Sequence, residues 1–408
     1  MTSHQQASPR GALVLGGAHG SLEIARSLGR RGIPVWLIAT DNPLATLSRY
    51  VERSLPWPGT DWHDGVARLA DLAARHDLYR WVLFAGGDIE AQFIAHNHAA
   101  LEAIFTLTTP AWDVLRWATD KRGMNTRAAE LGLAIPSTRY PRSRHDLSDL
   151  GLRFPVVIKP TIHDAVIHPK AWRADDQRAL AACYDQAEAL LGSDRTMVQE
   201  LIPGDGRAQF SYAAIWDRGA PAGAVVARRM RQFPIDFGFT STLVETVELA
   251  EIEDVACRFL RSLDYSGLVE IEFKHDARDG SYKILDVNVR AWTWIALGAA
   301  AGIDFPFAQW RLAGGERIDV VPTRRGVTWR YLSRDLIAAA QHLLAGTLSP
   351  SECFRSLKPA AAGAVLAWDD PLPTALDLPL VAARVIMRRL RGGGRASATA
   401  LQSAKYRL

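Results

Sequence analysis

The rhythm of the chain changes near residue 120, and that change limits the folds open to it. Before it, short apolar runs alternate with helix-patterned segments: "GALVLGG", "SLEIARSLGRRG", "IPVWLIATD", "DGVARLADLAARHD" and "RWVLFAGG". Strands separated by helices predict parallel pairing, because a parallel neighbour is reached through a crossover connection. After it, "AQFSYAAIWD", "PAGAVVARRMRQFP", "LVEIEFKHD" and "YKILDVNV" are linked partly through polar turns such as "DRGAPAG" and "ARDGS", with one helix, "EIEDVACRFLRSLD", among them. Turns of that kind predict antiparallel pairing. The expectation is an α/β domain over residues 1–118, an α+β domain over 119–315, and a mostly helical extension over 316–408.

A length of 408 residues suits two or three domains. The content, 48% hydrophobic and 23% charged, is that of a globular protein. No apolar run is long enough to span a membrane as a helix, and "MTSHQQASPRG" lacks the apolar core of a signal peptide. Cys183, Cys257 and Cys353 are far apart and odd in number, which fits a reduced, cytoplasmic chain without a disulfide framework. The net charge of +4 resides in the tail: residues 381–408 hold seven Lys or Arg and no acid, leaving 41 basic against 44 acidic residues elsewhere. A basic tail of this kind does not make the body a nucleic-acid binder. It reads as a last helix with a solvated end, membrane contact being the lesser alternative.

The segment "GLVEIEFKHDARDGSYKILDVNVR" reads as two strands joined at Asp279-Gly280. Alternation places Ile284, Asp286, Asn288 and Arg290 on one face and Lys283, Leu285, Val287 and Val289 on the other. A hairpin brings Glu272 towards Asp286 and Asn288, and two carboxylates with an amide oxygen suit Mg²⁺. Arg290 on that face can hold an anion through both arms of its guanidinium. Upstream, Lys159 ends the apolar run "FPVVIK". Burying an unpaired ammonium is costly, so a phosphate is a natural partner for it. Lys121 near a helix start, and Gln199-Glu200 closing the strand "MVQE", are further candidates.

In this order, "TDKRGMNTRAAELGLAIPST", "FPVVIKP", "MVQELIPG", "VARRMRQFPIDFGFTSTLVE", "SGLVEIEFKHD" and "YKILDVNVR" resemble the ATP-grasp superfamily. Within it they look most like carboxylate–amine ligases related to D-aspartate ligase and to the carbamoyl-phosphate synthetase type. The resemblance implies a Rossmann-like N-terminal domain and an ATP-grasp domain with a small ATP-binding lobe (119–203) and a larger antiparallel lobe (204–315). It implies ATP as co-substrate, Mg²⁺ (or Mn²⁺) as metal, a small carboxylic acid and an amine as partners, and a homodimer. Carried over by position, Lys121 and Lys159 would hold phosphates, and Gln199, Glu200, Leu201 and Ile202 would form the adenine hinge. Glu272, Asp286 and Asn288 would ligate the metal, while Arg290 and Arg231 would serve the reacting groups. Two departures stand out: Asp286 where the family usually has Glu, and a phosphate loop, "PTIHDAVIHPKAWRA", without glycine, in which His163, His168 or Lys170 would act instead.

The competing readings are a non-catalytic or weakly active ATP-binding member of the same fold, suggested by the glycine-free loop and Asp286, and more remotely an NAD(P)-dependent oxidoreductase built on the N-terminal region. "LVLGGAHGSLEIA" approaches a dinucleotide fingerprint through Gly17, Gly20 and the later Asp41, but Leu15 stands at the first glycine position. The reading is a tight strand-to-helix turn. His96 and His98 in "HNH" lack a third ligand nearby and read as polar surface.

Overall fold

Five parallel strands form the N-terminal sheet: β1 (Ala12–Leu15), β2 (Val35–Ala39), β3 (Arg53–Pro56), β4 (Val82–Ala85) and β5 (Thr106–Leu107), in the order β3-β2-β1-β4-β5. β1 is buried along its whole length, as a central strand covered on both faces must be. The computed structural model describes residues 10–40, 42–57, 62–162, 171–235, 240–320, 322–356 and 358–392, with side chains to Ala383. His163, His168 and Lys170 of the phosphate loop, Asp41, and part of "FPIDFGF" lie outside the described residues.

A small four-stranded sheet follows: β6 (Thr138–Arg139), β7 (Val156–Pro160), β8 (Trp172–Ala174) and β9 (Thr196–Glu200), ordered β6-β9-β7-β8. The helix Gln177–Leu191 covers it with Leu180, Tyr184, Ala187 and Leu191. The helix Lys121–Glu130 starts where the sequence predicts, its first turn capped by the Asp120 carboxylate, which accepts from the Arg122 amide at 2.9 Å.

The third sheet has seven strands: β10 (Gln209–Asp217), β11 (Ala220–Phe233), β12 (Thr240–Val247), β13 (Gly267–Asp276), β14 (Ser281–Asn288), β15 (Thr328–Arg330) and β16 (Ala362–Gly363). Their order is β14-β13-β10-β11-β12-β15-β16, antiparallel except for β15–β16. β10 and β11 turn through Arg218 and Gly219, both with positive φ, the geometry that matches strand twist in a two-residue hairpin. The helix Ala250–Arg261 buries Ile252, Ala256, Phe259 and Leu260 in the core shared with Ile271, Phe273, Ile284 and Val287.

The expectation for residues 316–408 needs correcting. Helices Leu332–Leu344, Pro350–Ser356 and Pro371–Gly392 are present, but β15 and β16 extend the large sheet past the boundary placed at 315. These strands are only three and two residues long, too short to show a period of two in the sequence. Among the described residues no helix is long and apolar enough to cross a membrane.

Candidate active site

Strand β13 presents Glu270, Glu272 and Lys274 at a period of two, and β14 answers with Asn288 opposite Glu270 and Asp286 opposite Glu272. The simple alternation along β14 is corrected by a bulge. Leu285 has no partner, so Ile284 pairs with Phe273 and joins the apolar core instead of sharing the face of Asp286. The Glu270 carboxylate accepts from Asn288 Nδ2 at 3.2 Å and from Trp294 Nε1 at 2.9 Å. Burial, then the charge of Glu272, pushes its pKa up.

Two lysines from the small-sheet side approach this row. Lys121 is held by its own amide, which donates to Thr161 O at 2.8 Å, and its ammonium pairs with Asp286. Lys159 on β7 keeps a partial opening to solvent, yet protein surrounds its ammonium. Burial first, and then Lys121, lowers its pKa to about 8, against the attraction of Asp286 and Glu272. The structure thus brings together Lys121, Lys159, Glu272, Asp286 and Asn288. Glu270 was missed, although its spacing from Glu272 in "VEIEF" is a legible signal.

The hinge residues sit at the end of β9. Gln199 Nε2 donates to Thr138 Oγ1 at 2.8 Å, and the Leu201 amide donates to Pro155 O at 3.0 Å. The Glu200 carboxylate accepts from the Arg153 amide at 3.0 Å and pairs with Arg278 at 3.4 Å. Ile202 is buried. Lys274 closes this corner, donating to Gly204 O at 2.7 Å and Asp205 O at 2.8 Å. Arg278 and Lys274 therefore fasten the hinge to the β13–β14 hairpin.

The two arginines differ. Arg290 adjoins the acid row, its Nη2 donating to Asn288 Oδ1 at 3.2 Å, while its two arms meet both oxygens of Asp88 at 3.1 and 3.3 Å. Asp88 begins the N-terminal-domain helix Asp88–His96, and no sequence signal connects it with Arg290 across 202 positions. Arg231 is placed elsewhere, which corrects its expected position. A bulge at Met230 separates it from Arg229. Arg229 lies 3.5 Å from Glu272, whereas Arg231 bonds the buried Asp335 at 2.9 and 2.7 Å and Ser356 Oγ at 2.7 Å. Arg231→Met is expected to destabilise the chain by about 3–5 kcal/mol, since Asp335 loses its bidentate partner. The check is a lower urea midpoint with unchanged nucleotide affinity; lost affinity at parental stability would restore a site role for Arg231.

Among the described residues, no group of three His, Cys, Asp or Glu converges as a metal cluster. The all-oxygen donors of Glu270, Glu272, Asp286 and Asn288 still fit Mg²⁺, which takes one or two carboxylates and completes its shell with phosphates and water.

Residues 239–321 match the family described as carbamoyl-phosphate synthase L chain, ATP binding domain. Among curated proteins, a D-aspartate ligase of Enterococcus faecium is 22% identical over 238 residues, 55% of this chain. The match spans 56%, about half, of that relative's length. Solved structures give the fold. The biotin carboxylase domain of Hydrogenobacter thermophilus 2-oxoglutarate carboxylase, in complex with MgADP, ADP and bicarbonate, superposes with TM-score 0.62 at 14% identity, covering 79% of this chain and 74% of that one. The L-amino acid ligase of Bacillus licheniformis has TM-score 0.58 at 16% identity, covering 76% and 75%. The chain has the ATP-grasp fold. An ADP complex of N5-carboxyaminoimidazole ribonucleotide synthetase is also similar, with TM-score 0.60 at 13% identity over 80% of this chain and 82% of that one.

In this fold the glycine-rich turn is accounted for by packing. A Cβ on Gly20 would lie 2.7 Å from Ala291 O, and one on Gly17 would lie 2.0 Å from Asn42 O. The helix His19–Gly29 therefore begins against the residue after Arg290. That contact explains the near-fingerprint without a dinucleotide. His96 of "HNH" stacks on Trp112 at 3.9 Å between ring centres.

Proposed function

We propose that this chain is an ATP-dependent carboxylate–amine ligase that works through an acyl phosphate and releases ADP and phosphate. The observation that carries the reading is the meeting of Lys121 and Lys159 with the Glu270–Glu272–Asp286–Asn288 row, with Arg290 at its end. The likeness to a D-aspartate ligase and to an L-amino acid ligase supports a small carboxylic acid, an amino acid among the candidates, and an amine as substrates.

In this mechanism the acid's carboxylate attacks the γ-phosphorus in line and the bond to ADP breaks. The amine then displaces phosphate from the acyl carbon, losing a proton as the amide forms. Lys121 and Lys159 hold phosphate oxygens, and the Gln199–Ile202 hinge borders the adenine. Arg290, oriented by Asp88, stabilises the charge on the transferred group. The site residues for the metal are Glu272, Asp286 and Asn288, with Glu270 beside them. A divalent ion bound there supplies neutralisation of the phosphate oxygens. No side-chain nucleophile is required, since positioning and charge do most of the work in phosphoryl transfer.

The direct test is ADP release from Mg·ATP with amino acids supplied as acid and amine together. Release that needs both supports ligation, and binding of Mg·ATP without release for any pair overturns it. Lys159 provides a pH signature. With a pKa near 8, it is about half neutral at pH 8, and an adjacent phosphate raises that pKa. Nucleotide binding at pH 8–9 therefore takes up a fraction of a proton, and affinity falls as pH rises through that range. Calorimetry in two buffers of different ionisation enthalpy reads this uptake. Lys159→Met should remove it, and its persistence in that variant would assign the proton to another group.

A further inference from the structure

A hydrogen-bonded chain of three side chains joins the N-terminal domain to the C-terminal segments. His19 Nε2 lies 3.0 Å from Tyr331 Oη, and Tyr331 donates to Asp377 Oδ1 at 2.9 Å. Ser333 Oγ donates to the other Asp377 oxygen at 3.1 Å. Tyr331 and Asp377 are buried, and the Arg334 guanidinium sits 5.2 Å from the centre of the Tyr331 ring. A phenol has one proton to give. Tyr331 gives it to Asp377, so its oxygen accepts from His19, and His19 Nε2 carries a hydrogen. In the neutral ring the lone pair is then on Nδ1. Asp377, 3.9 Å from Nε2, supplies negative charge for the imidazolium that forms when Nδ1 takes a proton.

The position of this chain relates it to the acid row. His19 opens the helix that follows β1, and Asp88 opens the helix that follows β4. β1 and β4 are neighbours in the order β3-β2-β1-β4-β5, and chain order reverses between them. Open parallel sheets bind ligands outside the carboxyl ends of their strands at such a switch point. Here both helix starts meet the segment after β14: Asp88 pairs with Arg290, and Gly20 packs against Ala291. Tyr331 approaches from the large sheet. Val244 pairs with Arg229 on one side and with Trp329 on the other, and the Tyr331 amide donates to Thr242 O at 2.9 Å. Arg229 reaches Glu272, so alternation sets Trp329 and Tyr331 on the sheet face that carries the acid row.

We propose that His19 is the proton acceptor for the amine substrate, with Tyr331 and Asp377 as positioning residues that fix its tautomer. The proposal rests on the ligase reading and names the base for its second step. An amine with a pKa of about 10 is almost wholly ammonium at neutral pH, and only its free electron pair can attack. His19 Nδ1 takes one proton from the ammonium. The nitrogen pair then bonds to the acyl carbon, and the bond from that carbon to the phosphate oxygen breaks. Phosphate leaves with the electron pair and takes the second proton from nitrogen, and His19 returns the first to solvent.

The test is ADP release from Mg·ATP and the acid, with either the amine or hydroxylamine as acceptor, in the parent and in His19→Gln. Hydroxylamine is a far weaker base and is already neutral at pH 7. Glutamine keeps a donor for Tyr331 and cannot take the proton. Amine-dependent release should fall by about 10²–10³-fold and hydroxylamine-dependent release by less than about tenfold. The residual amine-dependent rate should climb about tenfold per pH unit from pH 7 to 9, following the free amine, whereas the parent levels off once the ring is neutral. Tyr331→Phe, which leaves the tautomer unfixed, should lower amine-dependent release by about tenfold and again spare hydroxylamine. Equal loss with both acceptors makes His19 structural and overturns the proposal, as does amine-dependent release unchanged in His19→Gln. A parent that releases no ADP with acid and hydroxylamine overturns the ligase reading itself, and the base with it.

Discussion

Asp286→Asn is expected to lower acid- and amine-dependent ADP release by about 10²–10³-fold, the usual cost of removing one preorganised charge from a phosphoryl-transfer site. Adding Glu272→Gln should deepen the loss, since the two carboxylates face each other across β13 and β14. Stability will fall as well. Lys121 is 4% exposed and pairs with Asp286, and leaving a buried ammonium without its counter-ion costs about 3–5 kcal/mol. The two effects are separable through Lys121→Met in the Asp286→Asn background. That pair should recover much of the melting temperature and none of the turnover. A stable double variant with near-parental ADP release would place the metal and phosphate chemistry elsewhere.

The second large effect is structural. Asp370→Ala should destabilise the chain by about 3–5 kcal/mol, because it strands a buried guanidinium. Arg26 is 1% exposed and gives Nε to Asp370 Oδ2 at 2.9 Å. The same carboxylate accepts from Ser48 Oγ at 2.8 Å and from the Arg49 amide at 2.9 Å. These bonds fix the Pro-rich break "AWDDPLP" to the N-terminal domain. The measurement is limited proteolysis alongside thermal melting. Cleavage between residues 358 and 378 should appear in the variant before the N-terminal sheet is cut. A variant as protease-resistant and heat-stable as the parent would show that Arg26 finds another partner.

Much of the core architecture was legible in the sequence because its signals are local and periodic. Apolar runs split by helical segments announced the parallel sheet, and the Asp120 cap marked the start of the helix at Lys121. Long strands joined by Gly- and Asp-containing turns announced the antiparallel hairpins β10–β11 and β13–β14. β15 and β16 were not legible, being too short to carry a pattern and held by edge pairing, β15 with β12 and β16 with β15. In the site, Lys121, Lys159, Glu272, Asp286 and Asn288 were named from residue type and order, and the fold gathers them. Asp88 beside Arg290 and Arg229 beside Glu272 are tertiary pairings, and nothing local to any of the four predicts them.

Sequence alone therefore determined which residue types are available for phosphate and metal, and in what order along the chain. Only the tertiary structure decided which way several of them face. Leu285 and Met230 each interrupt a strand by one unpaired residue. A bulge reverses the in–out alternation beyond it, so Ile284 falls into the core while Asp286 stays with Glu272, and Arg229, not Arg231, meets that acid. Nothing in the one-dimensional pattern marks those two positions. Their cause is the register in which neighbouring strands best bury Phe273 and Ile284 on one side of the sheet, and pair Arg231 with Asp335 beneath a helix more than a hundred residues away.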